Sequence, residues 1–151
     1  MKLLTPVVLF VISTAAFSAV TDSGHCRSEE KVIFTCALKN QKKLSVCGDE
    51  KTKKIEYRFG RPKKIEMALP AMNFGSIMYS GGGGSYIRFK KDATEYLVYS
   101  SFVKGSEDSG VNIKKDGKLI AEISCHVQGE VDFPALEKSG LPRVEEPNPL
   151  F

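Results

Sequence analysis

The feature that most constrains this chain is a period of two. Apolar and polar residues alternate in short segments, and turn residues separate them. In a strand, successive side chains point to opposite faces, so such alternation marks one buried and one solvated face. "KVIFTCAL", residues 31–38, places Val32, Phe34, Cys36 and Leu38 on one side. "KLSVC", residues 43–47, continues with Leu44 and Val46. Facing Leu38 with Leu44 and Cys36 with Val46 leaves Asn40, Gln41 and Lys42 as a short hairpin loop. "KKIEYRFGRPKKIEMAL", residues 53–69, contains KKIE twice and reads as a hairpin turning at Gly60, Arg61 and Pro62. Ile55, Tyr57 and Phe59 then face Met67, Ile65 and Lys63. Further strands are expected over residues 74–80, 85–91, 95–103, 111–115 and 118–125. Asp116-Gly117 supplies the turn between the last two. The fold expected is all-β: a small antiparallel barrel or sandwich of about eight strands in one domain. "FPALEKSG", residues 133–140, offers one helical turn, and the three prolines of "GLPRVEEPNPLF" predict an irregular, flexible tail. The β domain is thus expected over residues 19–128, with the turn and tail over residues 129–151.

The N-terminus carries one charge, Lys2, then an apolar run from Leu3 to Phe17 and small residues around Ala16-Phe17-Ser18. The run is short for a membrane span. Residues 1–18 read as a secretory signal peptide, cleavage after Ala19 being the near alternative. Its removal leaves no segment for stable membrane insertion. It also lowers the formal charge from +4 to +3, a mild excess that does not suggest nucleic acid. Export to the periplasm or beyond agrees with four cysteines, an even number that allows two disulfides in three connectivities. Cys125 shares the inward face of Leu119, Ala121 and Ile123, and Cys36 is inward too, whereas Cys47 points the other way. Parity therefore favours Cys36–Cys125 and Cys26–Cys47.

Enzyme chemistry finds little support. His25 and His126 each adjoin a cysteine, but no zinc-type spacing is present, and oxidation favours disulfides. No Gly-x-Ser-x-Gly motif occurs, and the carboxylates Glu66, Glu95, Glu107 and Asp108 form no recognisable pair. No metal, no cofactor and no catalytic activity are expected. The densest positive stretch, Lys51, Lys53, Lys54, Arg58, Arg61, Lys63 and Lys64, reads as a solvated hairpin face. Alternatively it is a basic surface for a wall polymer or envelope partner.

The remaining feature is "YSGGGGSY", residues 79–86. Glycine weakens a strand interior, so four in succession require a reason. They are not a phosphate loop, since the Gly-Lys-Ser/Thr ending is missing and a strand follows. Two readings remain. The glycines permit a tight or bulged connection, or they form a protruding loop that enters a partner's cleft.

The segment from Ser80 onward resembles the C-type lysozyme inhibitor family of Gram-negative envelopes, small exported β-barrel proteins. The family pattern is Ser-Gly-x-x-Tyr, a strand, Lys-Gly, and a strand pair ending in cysteine. "SGGGGSY" at residues 80–86 is similar to the first motif, Lys104-Gly105 to the second, and "VNIKKDGKLIAEISC" to the third. The likeness covers about residues 30–126, and either Ser80 or Ser85 matches the family serine. The resemblance implies a late cysteine bridged to an early one, which suits Cys36–Cys125. It also implies a lysozyme-like hydrolase as partner. Lys104 and Ser80 are then the residues that meet its catalytic carboxylates, with Gly81, Gly82, Gly83, Gly84, Ser85 and Tyr86 shaping the contact.

Overall fold

The computed structural model describes residues 22–147 and Pro149, so the expected signal peptide lies outside the described residues. Eight antiparallel strands follow one another as β1 (Lys31–Ala37), β2 (Lys43–Gly48), β3 (Ile55–Arg61), β4 (Lys64–Tyr79), β5 (Gly82–Lys91), β6 (Thr94–Val103), β7 (Ser106–Lys115) and β8 (Lys118–Ser124). Their order in the sheet is their order in the chain. Short hairpins make every connection between neighbours, which is the simplest way to build an antiparallel sheet. The sheet curls into a half-barrel. An isolated bridge between Ala37 and Val127 and the Cys36–Cys125 disulfide join its two edges. After β8 the chain runs back along β1, with His126 N–H donating to Ala37 O and Asp132 N–H to Ile33 O, both at 2.8 Å.

The curl encloses one main core. Leu44, Val46, Tyr57, Leu69, Phe74, Ile87, Phe89, Val98 and Val111 meet there. Below it sits α1 (Phe133–Ser139), the expected helical turn, whose Leu136 is fully buried. Asp132 caps this helix by accepting from Ala135 N–H at 3.0 Å, and Gly140 ends it in the left-handed region at φ 81°.

Both disulfides have the pairing that parity favours, Cys26–Cys47 and Cys36–Cys125. Cys47 does face outward from β2, but it is not exposed. The segment before β1 lies across the outer face of β2 and β3, held by Cys26 and by His25 N–H donating to Ser45 Oγ at 2.9 Å. Under that segment Arg58 is buried. It makes a two-pronged pair with Glu30 at 2.6 and 2.7 Å and a third bond to Glu56 at 2.6 Å. Two buried charges persist because each satisfies the other.

Several expectations from patterning are corrected. The β1–β2 register is two residues away from the expected one: Cys36 faces Leu44 and Phe34 faces Val46. A shift of two keeps every side chain on its face, so alternation could not detect it. In the next hairpin the turn falls at Pro62-Lys63, Phe59 faces Met67, and a bulge precedes Gly60. Ile65, expected inside, is 48% exposed. The stretches 63–69 and 74–80 are not two strands. They form the single 16-residue β4, which pairs with β3 up to Pro70 and with β5 from Ala71 onward. Proline is tolerated there because it ends the first ladder. The tail is irregular, as expected, but residues up to Glu146 are held. Val144 N–H donates to Phe74 O, Tyr86 Oη to Val144 O, and Arg88 grips Glu146 at 2.5 and 2.8 Å.

Candidate functional site

The glycine run is not a protruding loop. The β4–β5 turn consists of Ser80 and Gly81 alone, with Gly81 in the left-handed region at φ 84°. Gly82, Gly83 and Gly84 belong to β5 and pair on both sides: with Tyr79, Met78 and Ile77 of β4, and with Val103, Phe102 and Ser101 of β6. Close approach of backbone explains two of them. A Cβ on Gly82 would lie 1.9 Å from Phe102 O, and one on Gly84 2.6 Å from Ser100 O. Glycine in a strand interior marks such an approach.

The β6–β7 turn is Lys104-Gly105, with φ 51° and 83°. Two successive left-handed residues match the twist of a two-residue hairpin. This turn adjoins the first. Lys104 N–H donates to Gly81 O at 3.0 Å, and a Cβ on Gly81 would touch Lys104 Cγ at 3.4 Å, so the lysine stem runs beside Gly81. Ser80, Gly81, Lys104 and Gly105 are all exposed. The structure therefore brings Ser80 and Lys104 to one edge of the half-barrel.

The other expected residues separate. Ser85 lies on the inner face of β5, past the turn, and is half-buried. Tyr86 is fully buried on the outer face, in a small cluster with Ile77, Leu97 and Tyr99. Its burial pushes the phenol pKa up, and its hydroxyl holds the tail at Val144 rather than meeting a partner. The basic stretch is divided as well. Lys51, Lys53 and Lys54 lie around the β2–β3 turn, whereas Arg61, Lys63 and Lys64 lie at the opposite end of β3. Seven strand residues put roughly 20 Å between the two groups, and Arg58 is consumed by its ion pairs. The continuous basic hairpin face read from the sequence is thus absent.

Beside the Ser80 and Lys104 turns opens a groove of about 510 Å³ that the sequence did not announce. Its floor is the inner face of β5 and β6, with Gly83, Ser85, Ser100 and Phe102. Its far wall is the returning chain, Gln128 to Val131, with Phe133 and Pro134. Serines of β7 and β6 fasten that wall: Ser109 Oγ donates to Gln128 Oε1 at 2.7 Å and accepts from Gly129 N–H at 2.9 Å. Ser100 Oγ accepts from Val131 N–H at 3.1 Å. Glu107, Asp108 and Glu130 also line the groove, and no lysine or arginine does. Asp108 is engaged by Tyr99 Oη at 2.9 Å. These members are remote in sequence and meet only once the strand register is fixed.

All four cysteines are in disulfides, and His25 Nε2 lies 3.2 Å from Gly60 O. Among the described residues no grouping of His, Cys, Asp or Glu is arranged to hold a metal ion, and no helix is long and apolar enough to cross a membrane. Two disulfides suggest an oxidising environment. Comparison of the chain with family models, with curated proteins and with solved structures finds no match in any of the three.

Proposed function

We propose that this chain is an exported, non-enzymatic binding protein. It acts in the periplasm or outside the cell and inhibits lysozyme or a lysozyme-like wall hydrolase. The observation that carries the reading is the Lys104 N–H to Gly81 O bond at 3.0 Å, which fuses two exposed turns into one narrow edge bearing Ser80 and Lys104. Hydrolases of this class act with two carboxylates in a cleft. An ammonium entering between those carboxylates makes charge-assisted bonds, and a neighbouring hydroxyl bonds to the acid. A rigid edge suits such insertion, because little conformational freedom is lost on binding. Here each turn has only two residues, both turns end in glycine, and the two central strands behind them, β5 and β6, are paired on both sides.

The test is wall lysis by a lysozyme, followed by turbidity, with and without the mature domain. Wild-type protein is expected to suppress lysis. Lys104→Ala is expected to lose at least tenfold in potency and Ser80→Ala less. Undiminished lysis at micromolar excess removes that lysozyme as the target. Equal potency of Lys104→Ala and wild type removes this edge as the inhibitory element.

A further inference from the structure

We propose that the groove beside this edge seats an arginine side chain from the surface of a partner protein, with Phe102, Glu107 and Glu130 as its recognition residues. The proposal rests on the preceding reading for the identity of the partner, but not for the chemistry of the groove.

The argument starts from strand register. Met78, Gly83, Phe102 and Glu107 stand opposite one another on four successive strands, β4 to β7. Such a row spans about 14 Å, three strand spacings. All four share the inner face, since Gly83 is in phase with Ile87 and Phe89 of the core. Met78 is 83% exposed and Phe102 50% exposed. Large apolar side chains left this open beside a groove mark a contact surface more often than scattered exposure does. Between them Gly83 has no side chain, so the row reads apolar, bare, aromatic, acidic. The third strand glycine thereby acquires a reason distinct from that of its neighbours. It keeps a notch open between Met78 and Phe102.

Charge then selects the occupant. The chain carries a net +4, yet the groove holds three carboxylates and no basic side chain. Among the described residues neither Glu107 nor Glu130 has an ion-pair partner. A cationic side chain entering the groove finds an apolar track for its stem, an aromatic face and two free carboxylates. Arginine fits this set better than lysine, because its planar guanidinium stacks on rings and presents donors in a fork.

The experiment is a two-dimensional amide NMR titration of the mature domain with both disulfides intact. The probe is acetyl-Gly-Arg-Gly-amide, with the Gln analogue and chitotriose as comparisons. Saturable shifts confined to Gly83, Phe102, Glu107 and Gly129 are expected with the arginine peptide alone. Glu107→Gln/Glu130→Gln is expected to weaken them at least tenfold while leaving other resonances in place. Gly83→Leu is expected to abolish them by filling the notch. Three results would overturn the proposal: no saturable shift, equal shifts with the Gln peptide, or shifts at these amides with the sugar. The arms separate cleanly from the lysis assay. Arginine binding without inhibition removes that lysozyme as the target and keeps the groove, and inhibition without arginine binding removes the groove proposal and keeps the inhibitor reading.

Discussion

Gly82 and Gly83 are adjacent, identical and both inside β5, yet alanine is expected to act very differently at the two. At Gly82 a Cβ would sit 1.9 Å from Phe102 O and 2.8 Å from Val103 Cα, about 1.5 Å short of ordinary contact with the oxygen. The obstruction is backbone and cannot rotate away. The strands must part, although β5 is paired on both sides. Two ladder hydrogen bonds at about 1 kcal/mol each, with overpacking strain of about 1–3 kcal/mol, give a loss of roughly 3–5 kcal/mol. At Gly83 the nearest atom is Ile77 O at 3.0 Å and the next is the flexible Met78 Sδ at 3.5 Å. A small adjustment suffices, and the reduced entropy of the unfolded chain returns about 0.4–1 kcal/mol. Gly83→Ala should therefore stay within about 1 kcal/mol of wild type. Equilibrium guanidinium denaturation with the disulfides intact measures both variants, provided the slope is unchanged. Equal losses for the two, or a neutral Gly82→Ala, would refute the close-approach account of the glycine run.

Further outcomes are expected elsewhere in the fold. Cys36→Ala/Cys125→Ala opens a loop with a sequence separation of 89 residues. By loop entropy it should cost about 4–5 kcal/mol, against about 3 for the 21-residue separation of Cys26 and Cys47. Thermal unfolding of the two double variants checks the order. The Arg58 guanidinium holds the Glu30 carboxyl below its ordinary pKa, so this group's stability contribution is full above about pH 4.3 and is lost as pH falls through the lowered value. Glu30→Gln should accordingly flatten the acid limb of a Tm-against-pH profile while lowering the neutral plateau, because it weakens the partner of a buried arginine. Tyr86→Phe removes the hydroxyl that holds Val144 O. It should cost about 1 kcal/mol and speed proteolysis within the tail, leaving the strands protected in hydrogen exchange.

The sequence by itself determined the all-β class and the helical turn, came within one of the strand count, and through parity favoured the pairing of both disulfides. Each of these rests on local pattern: period-two alternation, Asp-Gly turns, and the face on which a cysteine falls. Ser80 and Lys104 came only through the resemblance of residues 80–86 and of Lys104-Gly105 to motifs of a known inhibitor family, not from the pattern of the chain itself. Tertiary structure decided what alternation cannot encode. A register shift by an even number of residues leaves every face unchanged, so alternation placed Cys36 opposite Val46 and Phe59 opposite Lys63, whereas the paired strands set them opposite Leu44 and Met67. Burial from outside the sheet left no periodic signal either, which is why Arg58 read as part of a solvated face until the leading segment was seen to cover it. For the same reason the glycines looked like a loop. The requirement at Gly82 and Gly84 comes from the carbonyls of Phe102 and Ser100 on β6, twenty and sixteen residues away. The groove of Gly83, Phe102, Glu107 and Glu130 exists only because the fold brings three strands and a returning segment together in space.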